Sequence, residues 1–275
     1  MVTNTNDTAG TSPGWYTRMV RFPIDVYPGT STPPSITFFN DANYVSQILQ
    51  PAVDHATSKG LYIIIDLHFV DDPYTPAIAS QVTQFWTQIA PLYSTYSNVF
   101  YEVFNESNQT DSWATYKPTM QGWVNLIRGF APKNLIFAGS PSWDQSMGDA
   151  ATNPLTGGNI AYTVHMYYQH WTNSWNTTQA STCAAVNPIV MTEWGFNDVA
   201  GQPGLDAGGP LTTIYGNDML TWLEGMNGGW TAWCASNSWA PVMYDSNWNL
   251  LVGPEQEGGF VKDWLYTHRT MNQPQ

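Results

Sequence analysis

Cations are scarce in this sequence. Eight Lys plus Arg stand against 21 Asp plus Glu, a formal charge of −13 over 275 residues. A surface of that sign repels phosphate backbones and anionic headgroups, which argues against nucleic acid or a membrane as partner. Long apolar runs are missing too: no 18 consecutive apolar residues occur, so no segment reads as a membrane span. Met1–Gly14 is polar with no apolar h-region, so no signal peptide is expected in this sequence, while the Asn/Thr/Trp-rich, low-Lys composition is that expected of an exported, extracellular protein. Cys183 and Cys234 are the only cysteines. One precedes a strand-like run and the other ends the next, which separates them by about 17 Å and predicts two free thiols. There is no Gly-x-Ser-x-Gly elbow and no Gly-rich phosphate loop. Asp66, His68, Asp71 and Asp72 lack further His or Lys ligands at matching strand ends, and His165 and His170 lack the helical i,i+4 spacing of a zinc pair. Neither a metal nor another cofactor is expected.

What is present alternates. Hydrophobic residues make up 43% of the chain, enough for a sizeable core, and strand-like and helix-like patterns follow one another without a compositional break. Strands are predicted over Thr17–Phe22, Leu61–Asp66, Asn98–Phe104, Asn134–Gly139, Ile160–Met166, Pro188–Glu193 and Gly229–Cys234. Helices are predicted over Asp41–Lys59, around Val82–Leu92 and Trp113–Ile127, weakly near Trp171–Ala185, and over Leu211–Leu223 and Glu257–Thr267. Repeated strand–helix units imply a parallel sheet with right-handed crossovers. The fold class expected is α/β, a TIM-type (β/α)8 barrel forming a single catalytic domain over residues 1–275. Seven strands are recognisable rather than eight. Residues 1–16 are too few for the missing first unit, which takes roughly 30 residues, and are expected to be an irregular segment. The open edge is expected either to be lined by residues 1–16 or to pair with a second copy of the chain.

Two of the predicted strands end on carboxylates. Val99-Phe100-Tyr101-Glu102-Val103-Phe104-Asn105-Glu106 stops on Asn-Glu, and Ile189-Val190-Met191-Thr192-Glu193-Trp194-Gly195 on Glu-Trp-Gly. In a parallel barrel the chemistry gathers at the C-terminal strand ends, where Arg21, His68, Asn105, Glu106, His165, Tyr167, Glu193 and Trp233 all fall. Two carboxyl groups about 5–5.5 Å apart, one protonated and one ionised, are what a retaining glycosidase needs. Glu102, of the same strand parity as Glu106, is read as a buried structural acid and left out of the site.

These motifs resemble glycoside hydrolase family 5, a group of retaining endoglucanases and mannanases. Val20-Arg21-Phe22-Pro23, Asp66-Leu67-His68, Asn105-Glu106, His165-Met166-Tyr167, Thr192-Glu193-Trp194-Gly195 and the Trp of Trp230–Trp233 occur in the family's order, and Gly139-Ser140-Pro141-Ser142-Trp143-Asp144-Gln145 is similar to the cellulase form of the fifth-strand loop. The family usually continues Asn-Glu with Pro; here Ser107 follows. The resemblance, over roughly residues 17–269, implies Glu106 as acid/base and Glu193 as nucleophile, positioned by Arg21 and Tyr167. It implies Asn105 at the sugar 2-hydroxyl, His68 and His165 shaping the cleavage subsite, and Trp233 as its stacking floor. Among the 14 Trp, Trp143, Trp171 and Trp239 fall in predicted loops and are further candidates for sugar platforms, because flat apolar rings match pyranose faces. The implied activity is endo-β-1,4-glucan hydrolysis, with a polysaccharide as partner. An endo-β-1,4-mannanase and a catalytically inactive carbohydrate-binding barrel are the alternatives.

Overall fold

The computed structural model describes residues 14–27, 29, 35–171, 173–196, 213–252 and 256–270. Most of the expected N-terminal segment, residues 1–13, lies outside them, as do the first two residues of the expected Leu211–Leu223 helix. The chain divides into two units, one made of Met19–Val164 with Gln179–Val190, the other of the residues up to Arg18, His165–Thr178 and the residues from Met191 on.

The first unit carries a parallel ladder. β1 (Met19–Asp25) pairs with β2 (Tyr62–His68) from Met19 opposite Tyr62 to Asp25 opposite His68, and β2 pairs with β4 (Val99–Glu102). β4 pairs with β6 (Ile136–Ala138), and β6 with β7 (Ile160–Tyr167), all in parallel. The Tyr162 N–H then donates to the Pro188 carbonyl at 2.9 Å, at the start of β8 (Ile189–Gly195). A two-residue ladder outside this sheet joins β3 (Val70–Asp71) to β5 (Glu106–Ser107).

Strand burial on both faces explains why these runs are apolar throughout. One face gathers Ile64, Phe137, Ala161 and Val190 with the half-buried Met19 and Phe100. The other meets helices. A π-helical turn, Val45–Leu49, leads into α1 (Gln50–Ser58), which buries Val53 and Ala56. α2 (Pro76–Leu92) opens with Pro at its first position, where the missing N–H is harmless, and buries Val82, Phe85, Trp86 and Ile89. Trp86 packs edge-on to Tyr101 and donates its indole N–H to the Val103 carbonyl at 2.9 Å. Burying such a side chain contributes on the order of 2–3 kcal/mol. α3 (Trp113–Phe130) is capped by Ser112, whose Oγ accepts the Thr115 N–H. Leu92, at the end of the expected helix, is 49% exposed and follows Pro91 in the last turn. The stretch between β6 and β7 holds the short α4 (Pro141–Asp144) and a 3₁₀ turn, Gly148–Ala151. α6 (Ser174–Ala184) follows α5 (Tyr168–Trp171) and leads to β8.

In the second unit the C-terminal half of β8 pairs with the short β9 (Gly229–Trp230), the Thr231 N–H donating to the Met191 carbonyl at 2.9 Å. α7 (Thr213–Gly225) and α8 (Glu257–Thr267) complete it. The last expected strand therefore ends early, and Cys234 lies beyond it. Hydrogen bonding along the chain gives one seven-stranded order, β1-β2-β4-β6-β7-β8-β9, the strand count read from the sequence. The two cysteines are not joined in a disulfide, Cys183 buried and Cys234 half-buried.

Candidate active site

In the first unit β1, β2, β4 and the residues just after β4 bring five polar side chains into one largely buried network. Arg21 donates from Nε to Glu102 Oε2 at 2.6 Å and from Nη2 to Glu102 Oε1 at 3.1 Å. The same Nη2 reaches Asn105 Oδ1 at 2.7 Å and Asp66 Oδ2 at 2.9 Å. Asp66 Oδ2 also lies 2.7 Å from His68 Nδ1, which fixes the ring at the strand end. Glu102 and Asp66 are both fully buried. Burial pushes the Asp66 carboxyl up from the ordinary range, Arg21 pulls it down, and Glu102 pushes it up again. Asp66 and His68 are thus engaged with each other and with the guanidinium rather than arranged as an open ligand set. Asn105 spends its carbonyl oxygen on Arg21, and its amide nitrogen has no partner among the described residues.

Glu106 stands just beyond, half-buried, on the β3–β5 ladder, its N–H donating to the Phe69 carbonyl at 2.9 Å. That ladder gives the carboxylate a strand to sit on where a loop alone would leave it loose. α4 packs against β5, and within α4 Trp143 is 40% exposed.

The second unit holds the other carboxylate. Glu193, 5% exposed near the C-terminal end of β8, accepts a hydrogen bond from the Tyr167 hydroxyl at 3.0 Å on Oε2, and His165 Nδ1 lies 3.7 Å from the same oxygen. His165 is itself oriented by Thr192, with Nε2 2.9 Å from Oγ1. The neighbouring His170 is pushed down to about 4 by burial first and by His165 second, which keeps it neutral. The Tyr167 hydroxyl and the His165 ring thus both face the Glu193 carboxyl group. The Trp233 N–H donates to the Trp194 carbonyl at 2.8 Å, and the Trp233 ring meets Trp239 edge-on at 6.3 Å. Trp239 is 60% exposed. Trp171, expected in a loop, ends α5 instead, and its half-buried ring packs on Trp222 at 5.3 Å and Tyr215 at 6.2 Å.

Arg21, His68, Asn105 and Glu106 therefore gather in one unit, as do His165, Tyr167, Glu193 and Trp233 in the other. Sequence reasoning left three partners unassigned. Glu102 and Asp66 hold Arg21, and Thr192 holds His165. Proximity in sequence was the available signal, since Thr192 and Asp66 are each one or two residues from a named site residue.

A second buried acid sits behind β8. Glu257, the first residue of α8, is 1% exposed, and neither carboxyl oxygen has a hydrogen-bond partner among the described residues. Burial raises its pKa well above the ordinary value, against a weaker pull from the Phe196 backbone. Gly195 is required here: a Cβ would stand 2.6 Å from the Trp233 carbonyl, 2.7 Å from Glu257 Oε1 and 2.7 Å from Pro241 Cγ.

Comparison with known proteins gives concordant results. The family model described as Cellulase (glycosyl hydrolase family 5) matches residues 1–238. The chain is 31% identical over 268 residues to a protein named Endoglucanase from Clostridium saccharobutylicum, covering 92% of this chain and 56% of that one. It is 30% identical over 227 residues to Endoglucanase N from Pectobacterium atrosepticum, covering 80% and 47%. The chain thus spans about half the length of the curated relatives it matches. Its fold is similar to that of a β-glucanase from Saccharophagus degradans solved with cellotetraose, with a TM-score of 0.79 at 19% identity over 98% of this chain and 83% of that one. It is also similar to the catalytic domain of an endoglucanase from Thermobifida fusca, with a TM-score of 0.74 at 22% identity over 92% and 82%. The fold is that of these (β/α)8 glycosidases, with seven strands and no first strand–helix unit among the described residues.

Proposed function

Because the chain belongs to glycosyl hydrolase family 5, we propose that it is a retaining endo-β-1,4-glucanase acting on cellulose or a related β-glucan. Residues 1–275 form its catalytic domain, working outside the cell on polysaccharide and needing no cofactor. Glu193 attacks the anomeric carbon while Glu106 gives its proton to the departing glycosidic oxygen, and the bond between them breaks. A covalent glycosyl ester on Glu193 results. Glu106, now ionised, takes a proton from water, whose oxygen displaces Glu193 from the sugar and restores both groups.

The observation that carries this reading is the treatment of Glu193: a buried carboxylate near a strand end, held by the Tyr167 hydroxyl at 3.0 Å and flanked by a Thr192-anchored His165. In this scheme the Arg21–Glu102–Asp66 network holds Asn105, whose uncommitted amide is suited to the sugar 2-hydroxyl, and Arg21 assists Glu193. His68 and His165 shape the subsite. Trp233 is the stacking floor, with Trp143, Trp171 and Trp239 as further ring platforms. The names of the relatives, endoglucanases from two bacteria, support glucan over mannan.

The test is hydrolysis of carboxymethylcellulose, mixed-linkage β-glucan and glucomannan side by side, by the wild type and by Glu106→Gln and Glu193→Gln. Reducing-sugar release that falls at least a thousandfold in both variants, and is fastest on the glucans, is the expected result. Preference for glucomannan would make the chain a mannanase. No release by folded wild-type protein would make it a binding barrel.

A further inference from the structure

Three consecutive residues without a glycine among them, Ser142, Trp143 and Asp144, have φ of 59°, 53° and 59°. The left-handed region is sterically unfavourable for residues with a Cβ and is visited by them singly, so a run of three needs something that over-determines it. The turn lies beside the strand that carries Glu106: the Ser142 N–H donates to the Gln109 carbonyl at 2.8 Å, and α4 packs on β5.

We infer that Asp144 is a positioning residue whose buried carboxylate clamps this left-handed turn and thereby fixes the Trp143 indole as a rigid sugar platform. The inference rests on the glucanase reading for the nature of the ligand. Asp144 is fully buried and uses both oxygens. Oδ1 accepts the Ser140 N–H at 2.7 Å, closing the turn on itself, and Oδ2 accepts the Thr163 hydroxyl, tying the turn to β7. Gly139 makes room for the clamp, since a Cβ there would stand 2.6 Å from Asp144 Oδ1. On the far side the Gln145 side-chain amide donates to the Trp143 carbonyl at 3.1 Å, so the peptide around the indole is held from both directions. The indole itself is 40% exposed and touches no ring or hydrogen-bond partner among the described residues. A strained, doubly clamped backbone that leaves one large aromatic face open is preorganised for a flat apolar partner, because little rotational freedom is lost on binding. In the proposed substrate that partner is a pyranose ring.

The experiment is calorimetric titration of cellohexaose into Glu193→Gln protein, a background in which the ligand survives, with Trp143→Ala, Asp144→Ala, Asp144→Asn, Thr163→Val and the Trp143→Ala/Asp144→Ala pair added. Trp143→Ala should raise Kd roughly five- to tenfold, the scale of one aromatic contact. Asp144→Ala should do nearly the same, and the double variant should be no worse than Trp143→Ala alone, since the clamp acts only through the ring. Asp144→Asn, which still offers an oxygen to the Ser140 N–H and a donor to Thr163 Oγ1, should recover most of the loss. Thr163→Val should weaken binding by less than Asp144→Ala; if Asp144→Ala does not fold, Asp144→Asn and Thr163→Val, each combined with Trp143→Ala, carry the same comparison. Additive losses in the double variant would overturn the inference, and so would an unchanged Kd in Asp144→Ala. Failure of the parent protein to bind cellohexaose would remove the platform and the inference together. Turnover by the wild type plays no part in this readout, so loss of the catalytic reading would be seen separately.

Discussion

Glu257→Gln takes a titratable proton away from a place where the folded chain resists ionisation. In the native protein burial holds the Glu257 carboxyl protonated well above the usual range. In the unfolded chain the same group titrates near 4.3 (about the model-peptide value). Below that pH both states carry the proton and nothing is lost. Above it the unfolded state binds fewer protons than the native state, so stability falls as pH rises, about tenfold in the folding constant per pH unit, until the buried group itself ionises. For a chain of this size a tenfold change is roughly 3–5 °C in Tm. Gln fills the same space, stays neutral and titrates nowhere. Desolvating its amide costs something, but the cost is the same at every pH. The neighbours that face Glu257 are the Phe196 backbone, the Trp233 carbonyl, Pro241 and Tyr215, whose phenol is raised well above its ordinary value by burial and then by Glu257, so no neighbouring group named here titrates in the same window.

The assay is scanning calorimetry of the wild type and Glu257→Gln at pH 4.5, 5.5 and 6.5. Every other carboxylate cancels in the difference between the two proteins. The Tm of Glu257→Gln should gain on that of the wild type by roughly 3–5 °C per pH unit across this range. A difference that stays flat from pH 4.5 to 6.5 would mean that Glu257 ionises normally in the folded chain, and the argument from its unpartnered oxygens would fall.

Arg21→Met should destabilise the fold by about 3–5 kcal/mol, because it leaves Glu102 and Asp66 buried without their counter-charge; urea titration checks it. Tyr167→Phe removes the donor to Glu193 Oε2 and should lower kcat on β-glucan by tenfold or more while Tm moves by no more than roughly 3 °C. Equal kcat in that variant would show that the 3.0 Å hydrogen bond plays no part in turnover. Gly195→Ala forces a methyl between the Trp233 carbonyl, Glu257 and Pro241 and should cost about 1–3 kcal/mol, read as a lower urea midpoint at unchanged m-value.

The parts of this protein that can be read from its sequence are those that local chemistry determines. A strand buried on both faces must be apolar throughout, so β2, β4, β7 and β8 announce themselves, and the polar residue that breaks each run marks its end. Glu106, Glu193, His68 and Tyr167 are found that way. What escapes is whatever depends on a partner far away in the chain. Glu102 looks like an interior misfit until Arg21, 81 residues earlier, is seen to fork around it. The β3–β5 ladder that seats Glu106 is two residues long on each side, too short for any alternation to register. The left-handed turn at Ser142–Asp144 is hidden for the opposite reason: turns of that hand are recognised by Gly or Asn, and this one has neither.

The two kinds of residue divide by role as well. Groups proposed to act on a substrate sit where strands stop, and a stop is a local event. Groups that hold them in place, Glu102 and Asp66 beneath Arg21, Thr192 behind His165, Asp144 behind Trp143, lie fully or almost fully buried, and each is fixed by a hydrogen bond: to Arg21 for the first two, to His165 for Thr192, and to Ser140 and Thr163 for Asp144. A buried carboxylate is tolerable only when something nearby repays its desolvation, so each such acid implies a specific donor. Glu102 has its guanidinium and Asp144 its amide and hydroxyl; Glu257 has no such donor among the described residues, and burial favours its neutral form instead. The three acids therefore behave differently toward substitution by the neutral amide. At Glu102 Gln takes away a buried counter-charge of Arg21 and leaves Asp66, at Asp144 Asn keeps most of the geometry, and at Glu257 Gln relieves a pH-dependent burden. Measured together, the three amide variants separate a charge that is needed from one that is merely shaped and one that is suppressed.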